Sequence, residues 1–263
     1  MLFTQLVTAN LQTQILGREI EYYTRVDSTN LEARKLLEEG AEEGTLILTD
    51  NQTAGRGRHG ESWFSGPGKG LAFSVILKPN MRGKPAGVLS LAVGLAVTDA
   101  IENFRLVSQL KWPNDVLLSG KKCGGILLET RFQGDVMTSA IAGIGINVNE
   151  SQSEFPESIR NITTSIAIEK QSPAQRELIL AWTLNSLERR YAGLKSGDAS
   201  SIISDWENRC SHIGKTVSFN WKGENAMGIF EGVAQDGEAI IHKLDNSTRL
   251  TLSSEEIADV REV

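Results

Sequence analysis

The sequence is poor in cysteine and histidine, which build disulfides and many zinc sites and nucleophilic triads. Only two cysteines occur among the 263 residues, Cys123 and Cys210, and they form neither a CxxC pair nor a cluster with histidine. The pattern therefore argues against a disulfide framework and a structural zinc site, and it favours the reducing cytoplasm. The three histidines, His59, His212 and His242, are dispersed along the chain, so we assign none of them to a metal site or a nucleophilic triad.

The sequence also lacks long apolar runs, a targeting signal and an excess of positive charge. No apolar run is long enough to span a bilayer, and residues 1–20 lack the charged start and continuous apolar centre of a signal peptide. The net charge of -6 opposes attraction of the whole chain to nucleic acid, because such binding needs lysine and arginine to neutralise phosphates. We expect neither membrane association nor specific DNA binding.

The hydrophobic content of 40% over 263 residues allows one sizeable core and a small second domain. Apolar spacing predicts helices over residues 28–40 and 88–104 and from Ser172 to about Gly193, the first and last with capping-box spacing at Thr29/Glu32 and Ser172/Gln175. Strands are predicted over residues 45–49, 71–77, 106–112, 115–118, 125–130 and 136–144. This order favours an α+β catalytic domain with a mixed sheet.

From about Ser211 onward, the sequence consists of short β segments separated by Gly, Asn and Asp. The segments are residues 214–221, 226–234, 237–244 and 247–252, and their hairpin-like spacing predicts a small β-barrel. We therefore expect a catalytic domain over residues 1–208 and a C-terminal β-barrel domain over residues 209–263.

The first candidate site is the loop Gly55-Arg56-Gly57-Arg58-His59-Gly60. Its glycines allow close approach of the backbone to a ligand, and its two arginines present forked donors suited to phosphate or carboxylate. Taken alone, a solvated basic loop is about as good an interpretation, since Gly/Arg runs also occur in flexible segments.

The second candidate site is Lys111-Trp112-Pro113-Asn114-Asp115, which continues through Lys121, Lys122 and Gly125 into an apolar strand. Two lysines, an amide and a carboxylate converge across a predicted hairpin, which would bring a polyphosphate, its Mg²⁺ and an attacking carboxylate together. A solvated hairpin end, with Trp112 and Pro113 as turn and core residues, is the alternative that this pattern alone leaves open.

Taken together, these motifs resemble those of biotin protein ligases, and they occur in that family's order. The motifs are Ser28-Thr29-Asn30, Gln52, GRGRHG with Trp63 beyond it, KWPND, Lys122 with GGILLE, and GIGINV from Gly143 to Val148. The resemblance extends from about Asp27 to the carboxyl end. It implies the biotin/lipoate ligase type of catalytic domain, followed by a small SH3-like β-barrel.

The resemblance also implies roles for individual residues. It implies a biotin site at Ser28, Thr29, Asn30, Gln52, Arg56, Gly57, Arg58, Trp63, Lys122 and Gly125. It implies nucleotide contacts at Arg56, Arg58, Lys111, Asn114, Lys122 and Asn147. The catalytic groups would be Lys122, Arg58, Lys111 and Asp115, and no metal ligand is assigned.

The reaction implied by the resemblance has two steps. ATP, with Mg²⁺, activates biotin to biotinyl-5′-AMP, and the biotinyl group then passes to a lysine of the biotin carboxyl carrier protein of acetyl-CoA carboxylase. A lipoate protein ligase is the alternative, since that family resembles this one in fold. A biotin-dependent repressor is less favoured, because only about 20 residues precede the strand leading to Ser28, too few for a helix-turn-helix domain. A homodimer through an exposed sheet edge is left open.

The sequence departs from the family's usual pattern in three places. Glu61 stands where a basic residue is common, residues 65–68 shift an expected proline, and residues 253–256 lack a common glycine. We expect none of the three to touch a proposed catalytic group.

Overall fold

The computed structural model describes residues 1–245 and 248–263, with nothing stated for the side chains of residues 258 and 259. The helices are α1 (Thr4–Asn10), α2 (Thr29–Glu38), α3 (Ala86–Glu102), α4 (Glu157–Arg160), α5 (Ile166–Lys170), α6 (Arg176–Lys195) and α7 (Ala199–Glu207). The strands are β1 (Ile20–Tyr23), β2 (Leu46–Thr49), β3 (Leu71–Leu77), β4 (Met81–Arg82), β5 (Ser108–Lys111), β6 (Asp115–Leu118), β7 (Lys121–Gln133), β8 (Val136–Ile146), β9 (Thr216–Trp221), β10 (Glu224–Val233), β11 (Ala239–Lys243), β12 (Arg249–Leu252) and β13 (Ile257–Glu262).

The larger sheet is mixed and has eight strands. Its order is β1-β2-β3-β8-β7-β6-β5, with β4 beside β8. Only β1 and β2 run parallel, and the remaining neighbours are antiparallel. This is the mixed sheet that the sequence predicted.

Helices cover both faces of the sheet, which is why β2 and β3 are buried along their whole length. The long apolar helix α3 packs on one face, with α6 against its other side. On the opposite face, α2 packs through Ala33 against Ile47, Ile76 and Ile141. The N-terminus of α2 is thereby held close to the ends of the central strands, where the candidate site lies.

The C-terminal strands form a second, five-stranded antiparallel sheet in the order β12-β11-β10-β9-β13. It is the small β domain predicted from the hairpin spacing, which the family resemblance implied to be SH3-like, although β13 was not predicted and Ser247 of the last predicted segment lies outside the described residues. The domain packs directly against the second candidate site, because the buried Trp112 donates from Nε1 to the carbonyl of Gly237 at 3.1 Å. Trp112 is therefore a core residue at this junction.

Both predicted capping boxes are wrong. At α2 the N-cap is Ser28, whose side chain makes no capping hydrogen bond within the described chain, and Thr29 bonds to Gln52 instead. At α6 the helix begins only at Arg176, because the side chain of Asn149 bonds both backbone groups of Ala174, at 2.9 Å each, and holds the preceding residues outside the helix.

Other differences concern short elements with weak periodicity. Helices α1, α4, α5 and α7 and strand β4 were not predicted, and β7 begins four residues before the predicted strand. Within the described residues, no helix combines the length and apolar character needed to cross a membrane. The predicted domain boundary near residue 208 follows the end of α7. The residues just after it still form backbone hydrogen bonds with β5, so the boundary stays a prediction.

Candidate active site

One cavity of about 910 Å³ collects nearly all of the predicted site residues. Its walls come from the start of α2, the Gly-rich loop, the strands β5 to β8 and the C-terminal domain. The predicted residues that line it are Ser28, Thr29, Asn30, Gln52, Arg56, Gly57, Arg58, Trp63, Lys111, Asn114, Asp115, Lys122 and Gly125. Arg58 and Lys122, which are 64 positions apart in sequence, therefore share one cavity.

Asn147 is the predicted residue that the cavity lining does not include. It is buried, its backbone donates to Cys123 at 2.8 Å, and its side-chain Nδ2 donates to the carbonyl of Thr164 at 3.1 Å. Its Oδ1 finds no partner among the described residues. The predicted contact of Asn147 with an adenylate stays a prediction.

One end of the cavity is a buried polar network at the start of α2. Gln52 Oε1 accepts from the backbone N–H of Thr29 at 2.9 Å and from its hydroxyl at 3.3 Å. Ser74 donates to Asn30 Oδ1 at 2.6 Å, its Oγ lies 2.7 Å from Thr29 Oγ1, and Asn30 Nδ2 donates to Glu129 at 2.8 Å. Side chains fixed in this way present polar atoms at set positions in an otherwise apolar wall, which suits a small ligand with a polar edge.

Glycines on β7 and β8 make room for the side chains of this end. A Cβ at Gly145 would lie 2.3 Å from Cε2 of Trp63, and one at Gly143 would lie 2.1 Å from Oδ1 of Asn30. Gly125 contacts the other edge of the same indole, at 3.2 Å from its hypothetical Cβ. The glycines of GGILLE and GIGINV thus seat Trp63 and Asn30, a packing role that sequence reasoning did not assign to them.

The cationic centre of the cavity lies on the β5-β6-β7 meander. Lys111 is the cross-strand partner of Asp115, and Lys122 Nζ lies 2.6 Å from Asp115 Oδ1. The register between β6 and β7 shifts at Cys123, so that Leu117 faces Lys122 and Val116 faces Gly124. A β-bulge of this kind changes the direction in which a side chain points. Here it occurs next to Lys122, whose side chain points toward Asp115.

Asn114 supports this meander from within. Its Nδ2 donates to the carbonyl of Ile126 at 2.8 Å, and the N–H of Ile126 returns a bond to the carbonyl of Asn114 at 2.9 Å. The amide therefore ties the KWPND turn to β7. This positioning role accompanies the nucleotide contact that was predicted for Asn114.

The Gly-rich loop closes over the cavity and carries both arginines. Gly57 N–H donates to the carbonyl of Glu61 at 2.7 Å, and Arg56 bridges to Ser62. Burial lowers the pKa of Arg58, against the opposing effect of Asp115, Glu61 and Glu255. A guanidinium keeps its proton in proteins, so Arg58 supplies a positive charge to the cavity.

The C-terminal domain contacts this loop through Arg58, whose Nη2 donates to the backbone carbonyl of Ser254. The expectation that residues 253–256 touch no proposed catalytic group is therefore wrong. It is wrong for Glu61 as well, since the N–H of Glu61 donates to the backbone carbonyl of Arg58 at 3.0 Å. The acidic residues at these two departures supply negative charge beside the loop.

The third departure, residues 65–68, is anchored by a buried carboxylate. Glu150 is fully buried and accepts from the N–H groups of Gly66 at 3.2 Å and Val148 at 2.8 Å. Burial raises the pKa of Glu150, while these backbone hydrogen bonds oppose the rise. The bonds hold the loop that follows Trp63 against the segment that follows β8.

The far end of the cavity contains residues that sequence reasoning missed. Ser211 N–H donates to the carbonyl of Leu110 at 2.8 Å, so the segment before β9 extends beside β5 and brings His212 next to Lys111. His212 is 3% exposed, and burial, followed by the charge of Lys111, lowers its pKa to about 4. Its wide separation from the other histidines concealed it, because one residue without a repeated spacing gives no signal.

Comparison with known proteins places this site in a family. Residues 22–147 match the biotin/lipoate A/B protein ligase family. The chain is 35% identical to the bifunctional ligase/repressor BirA of Bacillus subtilis over 225 residues, which cover 85% of this chain and 68% of that protein. It is 32% identical to the biotin--[acetyl-CoA-carboxylase] ligase of Paracoccus denitrificans, with 82% and 91% covered.

A solved structure agrees with these sequence relatives. The biotin protein ligase of Aquifex aeolicus in complex with biotin and ATP superposes with a TM-score of 0.79 and 29% identity, over 94% of this chain and all of that one. Sequence and fold agree over both sheets, and the chain belongs to the biotin protein ligases of the biotin/lipoate A/B protein ligase family.

Proposed function

We propose that this protein activates biotin with ATP to biotinyl-5′-AMP and transfers the biotinyl group to a lysine of a biotin carboxyl carrier protein. The observation that carries the proposal is the single cavity in which Arg58, Lys111, Asp115 and Lys122 adjoin a polar recognition site at the start of α2. A ligase that joins a small acid to a nucleotide needs both parts side by side.

The polar end suits the urea edge of biotin. Ser28 has a hydroxyl that is not used for helix capping within the described chain, and Thr29 and Gln52 are already held by hydrogen bonds. Their donors and acceptors match a cyclic urea, which offers one carbonyl and two N–H groups. Trp63 would form the apolar wall for the rings.

The cationic centre suits the first half-reaction. An oxygen of the biotin carboxylate attacks the α-phosphorus of ATP, and the bond to pyrophosphate breaks. Both reactants are anions, so Lys122, Lys111 and Arg58 would offset the repulsion as the negative charges meet. Lys122 lies 2.6 Å from Asp115, which keeps its ammonium at the cavity wall until phosphate arrives.

The second half-reaction needs an uncharged lysine amine at the acyl carbon. Asp115 would accept a proton from the incoming ammonium, the amine would form the amide bond, and AMP would leave. Asp115 becomes available for this step when Lys122 turns to the phosphate. The Gly-rich loop would exclude water, which otherwise hydrolyses the mixed anhydride.

The residues of the cavity are suited to a Mg²⁺ ion that enters the site bound to ATP. The described part of the chain holds no cluster of three or more His, Cys, Asp or Glu side chains able to bind a metal. Mg²⁺ commonly binds through one or two carboxylates together with substrate phosphates, and Asp115 would supply the carboxylate. The bound ion would neutralise phosphate charge.

Biotin-dependent exchange of labelled pyrophosphate into ATP tests the proposal. The wild-type protein should exchange with biotin, and Lys122→Ala should lose exchange while unfolding at the wild-type temperature. Lys121→Ala is the matched control, since Lys121 is the neighbouring lysine and is not one of the described residues that line the cavity. Exchange at the wild-type rate in Lys122→Ala would remove Lys122 from the active site.

The same assay separates biotin from lipoate. The dithiolane ring of lipoate has no N–H or carbonyl to pair with the polar end, whereas the urea of biotin has both. Exchange with lipoate but not with biotin would overturn the choice of substrate. Transfer should be measured with the carrier protein of acetyl-CoA carboxylase, since that carboxylase is the target of the Paracoccus denitrificans ligase.

We extend the proposal to the setting of the enzyme. Two free thiols and the use of ATP support the cytoplasm. The net charge of -6 supports action without DNA or membrane binding. Sedimentation with and without biotin and ATP would show whether the chain forms a homodimer through a sheet edge.

A further inference from the structure

The far end of the cavity contains buried polar atoms that the fold leaves unsatisfied. Both ring nitrogens of His212 and the hydroxyl of Ser211 are buried and have no hydrogen-bond partner among the residues described. Both residues line the cavity. A buried polar group without a partner destabilises the folded state, so groups of this kind at a ligand cavity point to a missing ligand atom.

Packing does not account for the histidine. The ring of His212 contacts Phe230, with centroids 5.8 Å apart and planes at 59°. This contact uses the carbon surface of the ring, which a phenylalanine would supply without burying two nitrogens. The nitrogens therefore need a separate explanation.

Charges of both signs surround His212. Burial, followed by the charge of Lys111, lowers its pKa to about 4; Lys215 also lowers the pKa, whereas Glu262 and Asp115 raise it. Glu262 is engaged by Lys215 at 2.8 Å, and Asp115 by Lys122 at 2.6 Å. The imidazole is therefore neutral at physiological pH and offers one N–H donor to the cavity.

The position of His212 relative to the reacting groups identifies which part of a ligand it meets. The biotin end lies at Thr29 and Gln52, and the centre lies at Lys122 and Asp115. Lys111 is the cross-strand partner of Asp115, its charge acts on His212, and all three residues line the same cavity as Lys122. An ATP molecule bound beside biotin, with its α-phosphate at Lys122, would place its β- and γ-phosphates at His212.

We propose that His212 and Ser211 bind the polyphosphate tail of the nucleotide, the part that leaves as pyrophosphate. The inference rests on the function proposed above and deepens it. Each side chain donates one hydrogen bond to a phosphate oxygen from a neutral group. Neutral donors add directional contacts without adding charge, so they hold the tail and still let pyrophosphate leave.

His212→Phe tests the inference, because it removes both nitrogens and keeps the ring contact with Phe230. In biotin-dependent pyrophosphate exchange, the half-saturating concentrations of pyrophosphate and ATP should both rise about five- to tenfold, the effect of about one neutral hydrogen bond. The half-saturating biotin concentration should stay the same. Ser211→Ala should give a smaller change in the same direction.

The second half-reaction provides the internal comparison. Transfer to the carrier from added biotinyl-5′-AMP involves no polyphosphate, so His212→Phe should transfer at the wild-type rate. His212→Gln keeps an N–H donor and should restore part of the pyrophosphate affinity. His242→Phe is the matched control, since His242 lies beside Glu231 at 3.6 Å and is not one of the described residues that line the cavity.

Several results would overturn the inference. These are an unchanged half-saturating pyrophosphate concentration in His212→Phe, a rise for ATP without one for pyrophosphate, or an equal loss in transfer from the adenylate. If His212→Phe does not fold, unchanged constants in both His212→Gln and Ser211→Ala refute it. Absence of any exchange in the wild-type protein would instead refute the proposed function itself.

Discussion

Acidification should destabilise this protein through one buried side chain, His212. Burial, reinforced by Lys111, lowers its pKa from 6.5 to about 4. Above pH 6.5 the imidazole is neutral in both the folded and the unfolded chain, so the free energy of unfolding does not depend on it. Between pH 6.5 and 4 the unfolded chain binds a proton that the folded chain excludes, so stability falls as the pH falls.

The size of this effect follows from the displacement of the pKa. At ~1.36 kcal/mol per pKa unit, His212 should cost the folded state about 1 kcal/mol at pH 5.5 and about 3 kcal/mol near pH 4. His212→Phe has no proton to bind and should lose this part of the acid sensitivity. Titrating carboxylates, which are common to both proteins, cancel in the difference between them.

Denaturant unfolding at a series of pH values, followed by tryptophan fluorescence, measures this difference. The gap between wild type and His212→Phe should change in favour of the variant as the pH falls from 7 to 4, while His242→Phe should follow the wild type. Parallel curves for wild type and His212→Phe over that range would refute the reasoning, because they would mean that the folded protein protonates His212 without penalty.

Three further predictions concern other buried contacts. Gly145→Ala would place a methyl group about 2.3 Å from the ring of Trp63; it should raise the half-saturating biotin concentration in pyrophosphate exchange at least about tenfold, and unchanged biotin affinity would mean that the indole does not shape the pocket. Arg176→Met removes the cation 3.1 Å from the largely buried Asp50 and should lower the free energy of unfolding by about 3 kcal/mol, measured in denaturant; a loss below about 1 kcal/mol would contradict a buried pair. Burial raises the pKa of the fully buried thiol of Cys123, so iodoacetamide at pH 8 should modify it only in denaturant, and mass spectrometry of the native protein would detect any exception.

The sequence predicted the parts of this molecule in which local pattern and tertiary structure agree. The β6-β7 hairpin is such a part, because its two strands were predicted and Ser119 and Gly120 between them adopt the positive φ values, 50° and 74°, of a tight turn. The mixed sheet and the C-terminal β domain follow similarly from alternation and turn residues.

The errors occur where a side chain serves a distant partner. Thr29 has the spacing of a capping box, yet it bonds to Gln52 and Ser74, because tertiary contacts decided the use of its hydroxyl. The start of α6 shifts for a similar reason, since Asn149 binds the backbone ahead of it. Such competition between local and distant partners is not encoded in the spacing of neighbouring residues.

The candidate site shows the same division. Lys122, Asp115 and the loop arginines belong to short motifs, so the sequence located them. His212 and the carbonyl of Ser254 reach the site through the packing of the C-terminal domain, and neither belongs to a motif. Residues of this second kind become visible only when the two sheets are seen together.

The N-cap of α2, whose side chain makes no capping hydrogen bond within the described residues, implies a conflict between the stability of the helix and ligand binding. A helix with a satisfied N-cap is typically about 1 kcal/mol more stable than one without, and Ser28 has the side chain for that purpose but does not use it within the described residues. If the Ser28 hydroxyl binds biotin as proposed, a mutation elsewhere that turned it inward would strengthen the first turn and take that group from the ligand. Under the proposed role, selection for a more heat-resistant variant should weaken biotin binding at this helix, and selection for tight binding should preserve the weak turn.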